Sequence, residues 1–75
     1  MSGREVVKAL SSFGFRIVSV RGSHAKLRRV LVSGEQQTLT VPLHKRIRPG
    51  TLHALFRQAC RFLPEADLRP WFFTK

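Results

Sequence analysis

Acidic residues are scarce. Four aspartates and glutamates stand against 14 lysines and arginines, so the 75-residue chain carries a formal charge of +10. That scarcity argues against a Ser-His-acid hydrolytic triad around its serines. Cysteine is scarcer still: Cys60 is alone. No intramolecular disulfide can form, whereas small secreted domains normally use several bridges, so a reducing compartment fits better. Cys60 ends the helical pattern Leu55-Phe56-Arg57-Gln58-Ala59-Cys60 and reads as a buried apolar residue, not a nucleophile. No apolar run approaches a signal-peptide core or a membrane span, which predicts a cytoplasmic protein without membrane association. His24, His44, His53 and Cys60 show none of the close ligand spacings of zinc sites, so no metal is expected. Repeats, linkers and low-complexity segments are absent. At this length a single domain over residues 1–75 is expected, with no room for a large cofactor-binding fold.

What is present is a compact core and a great deal of positive charge. Hydrophobic residues make up 43% of the chain, too many for a disordered basic tail. The lysines and arginines are spread from end to end, which describes a folded cationic surface. The charge exceeds the magnitude of about 2–8 that serves solubility in small domains. It points to a polyanion, nucleic acid first and an acidic protein second.

The chain divides cleanly into elements. Ser2 and Glu5 form a capping box at the start of a helix over about residues 3–13, with Val6, Val7, Leu10 and Phe13 at helical spacing and Gly14 as its stop. Phe15 to Val20 is a short β-rich run that Gly22 ends. His24 to Val32 is a second strand, Ser33-Gly34-Glu35 a turn, and Gln37 to Val41 a third strand, which Pro42 either places at a sheet edge or ends. Short connections make neighbouring strands antiparallel. A second helix starts near Thr51 with Leu52, Leu55, Phe56 and Ala59 as its stripe. Pro64 suits the first turn of a further short helix, which Glu65 and Asp67 complement. The predicted fold class is α+β: an α-β-β-β-α order, a three-stranded antiparallel sheet with helices on one face, and a short extra C-terminal helix.

Strand alternation assigns the faces. Ala25, Leu27, Arg29, Leu31, Leu39, Val41 and Leu43, extended by Phe15 and Ile17, point to the core. Arg29 is the exception in this set and marks a place where the core thins. His24, Lys26, Arg28, Thr38, Thr40 and His44 share the open face with Arg16, Val18, Val20, Val30 and Val32. A hairpin centred on Gly34 would set His24 directly opposite His44, with Cβ atoms about 4.5–5.5 Å apart.

This face can do chemistry on RNA. The 2′-hydroxyl attacks the neighbouring phosphorus while one group removes its proton and another protonates the leaving oxygen. A cation stabilises the phosphoryl charge. DNA lacks that hydroxyl and would be spared. His24 suits either proton role, and Arg21, Lys26 and Arg28 supply cations. The Gly22-Ser23 turn lets a phosphate approach closely, with the Ser23 hydroxyl as a hydrogen-bond partner or as a simple turn residue. His44 either supplies the complementary proton role or caps backbone beside Pro42. Lys45, Arg46 and Arg48 precede Pro49-Gly50-Thr51, a helix start whose free amides suit a phosphate or ordinary capping. His53 reads as a solvated helix residue. Trp71-Phe72-Phe73 can stack bases, close the core or meet a protein.

The ordered set Gly14-Phe15, Arg21-Gly22-Ser23-His24, Val41-Pro42-Leu43-His44, Pro49-Gly50-Thr51-Leu52 and Leu55-Phe56-Arg57-Gln58-Ala59 resembles the HicA toxins of bacterial toxin–antitoxin pairs. The resemblance spans about residues 3–68. It implies a double-stranded-RNA-binding-like fold and a ribosome-independent mRNA interferase whose active-site histidine corresponds to His24. It also implies a HicB antitoxin that covers the active face. Family members often carry an aromatic residue three positions after that histidine; here Leu27 occupies the place. The residues taken without the resemblance leave two alternatives: a non-catalytic RNA-binding module, and a protein-binding domain for an acidic partner.

Overall fold

A computed structural model describes residues 1–73. In chain order the elements are α1 (Gly3–Ser11), β1 (Arg16–Arg21), β2 (His24–Val30), β3 (Gln36–Pro42), α2 (Pro49–Ala59) and α3 (Glu65–Phe72). The strands form one antiparallel sheet in the order β1-β2-β3. The fold is therefore α+β with the expected α-β-β-β-α pattern and a short third helix. Among the described residues, no helix is long and apolar enough to cross a membrane.

Local chemistry starts and stops these elements as anticipated, within a residue or two. The Glu5 amide donates to Ser2 Oγ (3.1 Å), and the Ser2 amide donates to Glu5 Oε1 (2.7 Å). This reciprocal cap satisfies two amides that no helical carbonyl reaches. The Ser2 amide holds the Glu5 carboxyl below its ordinary pKa. The folded state thus gains from the charged form above the ordinary carboxylate range, and loses that gain as pH falls through the lowered value. α1 ends at Ser11, short of the predicted residue 13. The hydroxyls of Ser11 and Ser12 turn back to the carbonyls of Lys8 and Ala9 there, competing with continuation of the helix.

The core lies between the helices and one sheet face. Val6, Leu10, Phe15, Ala25, Leu27, Leu39, Val41, Ile47, Phe56, Leu63 and Leu68 are buried together. Alternate residues of β2 and β3 supply it, and the residues between them are exposed apart from the half-buried Arg28 and the buried Pro42. Phe72 and Phe73 pack on Phe56, with ring centroids 5.5 and 5.0 Å away. Trp71 remains exposed. The C-terminal aromatic cluster thus closes the core with two of its three rings.

Three expectations about the sheet need correction. First, β1 carries a bulge. Ile17 is opposite Leu27 but Ser19 is opposite Lys26, which leaves Val18 as the extra residue. The bulge reverses the alternation beyond it. Val20, expected on the open face, instead faces Ala25 on the helix side, while Ser19 and Arg21 turn to the open face. Second, Ile17 is on the helix side as expected but is not core. β1 is an edge strand exposed along its whole length. Third, β2 ends at Val30 and Leu31 is only half-buried. The Leu31 amide bonds Glu35 O and the Gly34 amide bonds Leu31 O in the connecting loop, which centres the hairpin on Ser33.

Arg29 faces the core side, and its charge is fully engaged. Its Nε and Nη2 donate to Gln37 Oε1 (2.9 and 2.6 Å), Nη1 to Phe13 O and Nη2 to Phe62 O (both 3.2 Å). The guanidinium also lies 5.2 Å from the centroid of the Phe15 ring. It ties β2 to the end of α1 and to the segment after α2, where it replaces apolar packing with a hydrogen-bonded fork.

Candidate active site on the open sheet face

The β1–β2 connection presents His24. Gly22 adopts a φ of +56°, a left-handed conformation that side chains disfavour, and this lets the chain reverse over two residues. Arg21 and His24 consequently pair across the turn. His24 is exposed and lies on the sheet face opposite the buried Ala25 and Leu27. With Ser19, Arg21, Lys26 and Thr40 it lines a depression of about 410 Å³.

The predicted pairing of His24 with His44 does not occur. With the hairpin centred on Ser33, His24 is opposite Pro42. A shift of two residues preserves the faces but moves His44 past the strand end. The chain nevertheless turns His44 back toward the same site. The Leu43 amide donates to Ser23 O (2.5 Å), the Gly3 amide to His44 O (2.9 Å) and the Ile47 amide to Met1 O (2.9 Å). These ties fix the segment between β3 and α2 against both the β1–β2 turn and the start of α1. A groove of about 620 Å³ results, lined by His24, Thr40, His44, Arg46, Arg48, Thr51 and Gln58 among others. His24 and Thr40 line both hollows and so form the boundary between them.

Gly3 makes this close assembly possible. A Cβ there would lie 2.1 Å from Pro42 O and 2.6 Å from Leu43 Cα. Gly3→Ala gains about 1 kcal/mol in helix propensity, but it must push α1 away from backbone that cannot yield. The expected net result is a loss of about 1–3 kcal/mol, read as a lower urea midpoint with an unchanged slope. An unchanged or raised midpoint would show that α1 tolerates the displacement.

The site is electrostatically one-sided. None of the four acidic residues lines either hollow. Arg16 stands directly opposite Arg28, a like-charge pair that costs about 0.2–1 kcal/mol until an anion neutralises it. Arg28 is half-buried and its Nε has no hydrogen-bond partner. At the start of α2, Arg48 is the N-cap without a side-chain hydrogen bond, Pro49 begins the helix, and the first turn holds no acid. Its amides are free for an anion.

The structure gathers some candidate residues and leaves others apart. Arg21, His24 and Lys26 meet in the depression, while His44, Arg46 and Arg48 meet His24 in the groove. Ser23 is exposed in the turn, with its carbonyl engaged by Leu43. Arg28 and Lys45 line neither hollow. His53 is exposed and stacks on Phe73 with centroids 4.8 Å apart. Cys60 is half-buried, and burial pushes its thiol pKa up, which keeps it protonated and a poor nucleophile. Among the described residues, no three His, Cys, Asp or Glu side chains gather into a metal-ligating group. Thr51, expected at a phosphate-binding helix start, lines the groove. Ser19 and Gln58 escaped the sequence reading; the bulge brings in Ser19, and helix packing brings in Gln58.

The family model described as HicA toxin of bacterial toxin-antitoxin matches residues 3–59. The chain belongs to the HicA toxin family. No curated protein and no solved structure matches it. The match runs from the start of α1 to the end of α2, so every element that shapes the two hollows is HicA sequence and only α3 lies beyond. Membership makes the chain the toxin half of a toxin–antitoxin system, a role whose partner is an antitoxin.

Proposed function

We propose that this HicA-family chain is a cytoplasmic, metal-independent endoribonuclease that cleaves mRNA through His24 and is neutralised by a HicB-like antitoxin. The observation that carries the reading is the position of His24. It is exposed, on an open and cationic sheet face, at the boundary between a hollow with Arg21 and Lys26 and a groove with His44.

The chemistry is transesterification. The ribose 2′-oxygen bonds to phosphorus and the bond from phosphorus to the 5′-oxygen breaks. One proton leaves the 2′-hydroxyl and one reaches the departing 5′-oxygen. His24 takes one of these proton roles and His44, across the groove, takes the other. Lys26 and Arg21 stabilise the charge that grows on the phosphoryl oxygens. The Ser23 hydroxyl hydrogen-bonds the same phosphate from the turn. Arg28, Lys45, Arg46 and Arg48 hold flanking phosphates, which contribute affinity and register and no sequence reading. The like-charged Arg16–Arg28 pair supports a polyanion on this face, because bound phosphate relieves its repulsion.

The test is direct. Purified protein is incubated in chelator with an RNA and with its DNA analogue. Fragments from the RNA alone support the proposal. Intact RNA bound tightly assigns a non-catalytic RNA-binding role, and no affinity for either polymer at moderate salt assigns a protein-binding domain. For Lys26→Ala, RNA binding weakens and the slope of log K against log salt falls by about 0.7–0.9 per lost phosphate contact. An unchanged slope would remove Lys26 from the phosphate path.

A further inference from the structure

The two edge strands of the sheet differ in how much apolar surface they leave open. β3, at one side, ends in Pro42, which has no N–H to offer, and buries Gln37, Leu39 and Val41. β1, at the other side, is exposed throughout. Its sequence, Arg16-Ile17-Val18-Ser19-Val20-Arg21, holds no proline, and its guards are the arginine at each end and the bulge. Ile17, Val18 and Val20 are 46%, 48% and 51% exposed, an apolar strip along free backbone. The bulge at Val18 interrupts the edge but leaves Ser19–Arg21 in regular register.

Charge decides what fits there. A second copy of this chain is a poor occupant. Antiparallel self-pairing about the centre of β1 sets Arg16 of one copy against Arg21 of the other, and parallel pairing aligns arginine with arginine; like charges directly opposite are destabilising. Each copy also brings a further +10. An acidic strand meets the opposite situation. Arg16, Ser19 and Arg21 present one face to it, and Ile17 and Val20 the other. We propose that β1 is a docking edge to which the antitoxin adds an extended strand with acidic residues toward Arg16 and Arg21 and apolar residues toward Ile17 and Val20. Backbone hydrogen bonds supply affinity and the alternating side chains supply specificity. The added strand lies about 4.8 Å from β1. Its carboxylates occupy Arg21, which lines the His24 depression, so docking competes with RNA phosphate at that arginine. The identity of the partner and the competition with RNA rest on the function proposed above.

Backbone amide exchange tests this on the unmodified protein, free and bound to the HicB-like antitoxin of its pair. Amides of Ser19–Arg21 are expected to exchange at least about tenfold more slowly in the complex. Protection confined to other elements would overturn the proposal. Ile17→Lys with Val20→Lys, both at exposed positions outside the proposed catalytic and RNA-binding set, is expected to weaken antitoxin binding at least about tenfold while RNA cleavage stays unchanged; unchanged affinity would overturn it. A free protein that dimerises, and loses the dimer in the double variant, would give the edge to a second copy and overturn it too. Failure of the antitoxin to bind at all would remove this edge assignment and the partner, and leave the ribonuclease reading to be judged by the chelator assay alone.

Discussion

His24→Ala is expected to lower RNA cleavage by roughly 10²–10⁴-fold, the usual contribution of a positioned proton-transfer group, while leaving the fold and most RNA affinity intact. The reasons are geometric. His24 opens β2 with its side chain exposed, so truncation creates no cavity, and such surface changes shift stability by about 0.5 kcal/mol or less. In the proposed function, phosphate affinity comes from arginines and lysines that the variant retains. His24→Gln keeps a polar side chain but transfers no proton, and should be as inactive as the alanine variant. His44→Ala should also lose activity, because its role is complementary. Single-turnover rates beside filter-binding affinities separate chemistry from binding. Full activity in His24→Ala would remove the catalytic claim, whatever the affinity.

Arg29→Met should be the most damaging single change to the fold among those considered, at about 3 kcal/mol. Methionine matches the stem but leaves Phe13 O, Phe62 O and Gln37 Oε1 without the donors they have now. Each unsatisfied buried group costs about 1–3 kcal/mol, and partial access of water to this site keeps the sum toward the lower end. A chain of this length has a total stability of roughly 4–11 kcal/mol, so the loss is a large fraction of it. Arg29→Lys should rescue only part. A single ammonium cannot span the two carbonyls and the amide oxygen that the planar fork reaches together. Urea unfolding measures both variants, and a midpoint for Arg29→Met equal to wild type would show that water replaces the fork without loss.

These effects were legible in the sequence to different degrees. The start of α1 was readable because Ser2 and Glu5 satisfy each other locally. The core faces of β2 and β3 were readable because period-two alternation over Ala25, Leu27, Leu39 and Val41 leaves one arrangement that buries them. The bulge at Val18 was not. Arg16 to Arg21 holds no glycine, and a uniformly β-prone run has the same composition with or without an extra residue. The hairpin register escaped for a related reason, since Ser33 and Gly34 are both acceptable centres and loop hydrogen bonds at Leu31 and Gly34 decide between them. His44 was placed on the correct side by an incorrect pairing. What brings it to His24 is the contact of Gly3 with Pro42 and the bond from Gly3 to His44, across some forty residues of chain. Arg29 looked like a defect in an apolar pattern because its partners Phe13 and Phe62 are distant in sequence.

In the proposed mechanism an exposed imidazole on a cationic sheet drives attack by a ribose hydroxyl. The most direct measurement uses one RNA oligonucleotide and its twin with a single 2′-deoxyribose at the cleaved position, incubated with the protein in chelator, followed by end-group analysis. The substituted position should resist cleavage, and the normal product should end in a 2′,3′-cyclic phosphate. Cleavage that ignores the missing hydroxyl, or a product with a free 3′-hydroxyl beside a 5′-phosphate, would mean that water is the nucleophile and would contradict the mechanism built on His24.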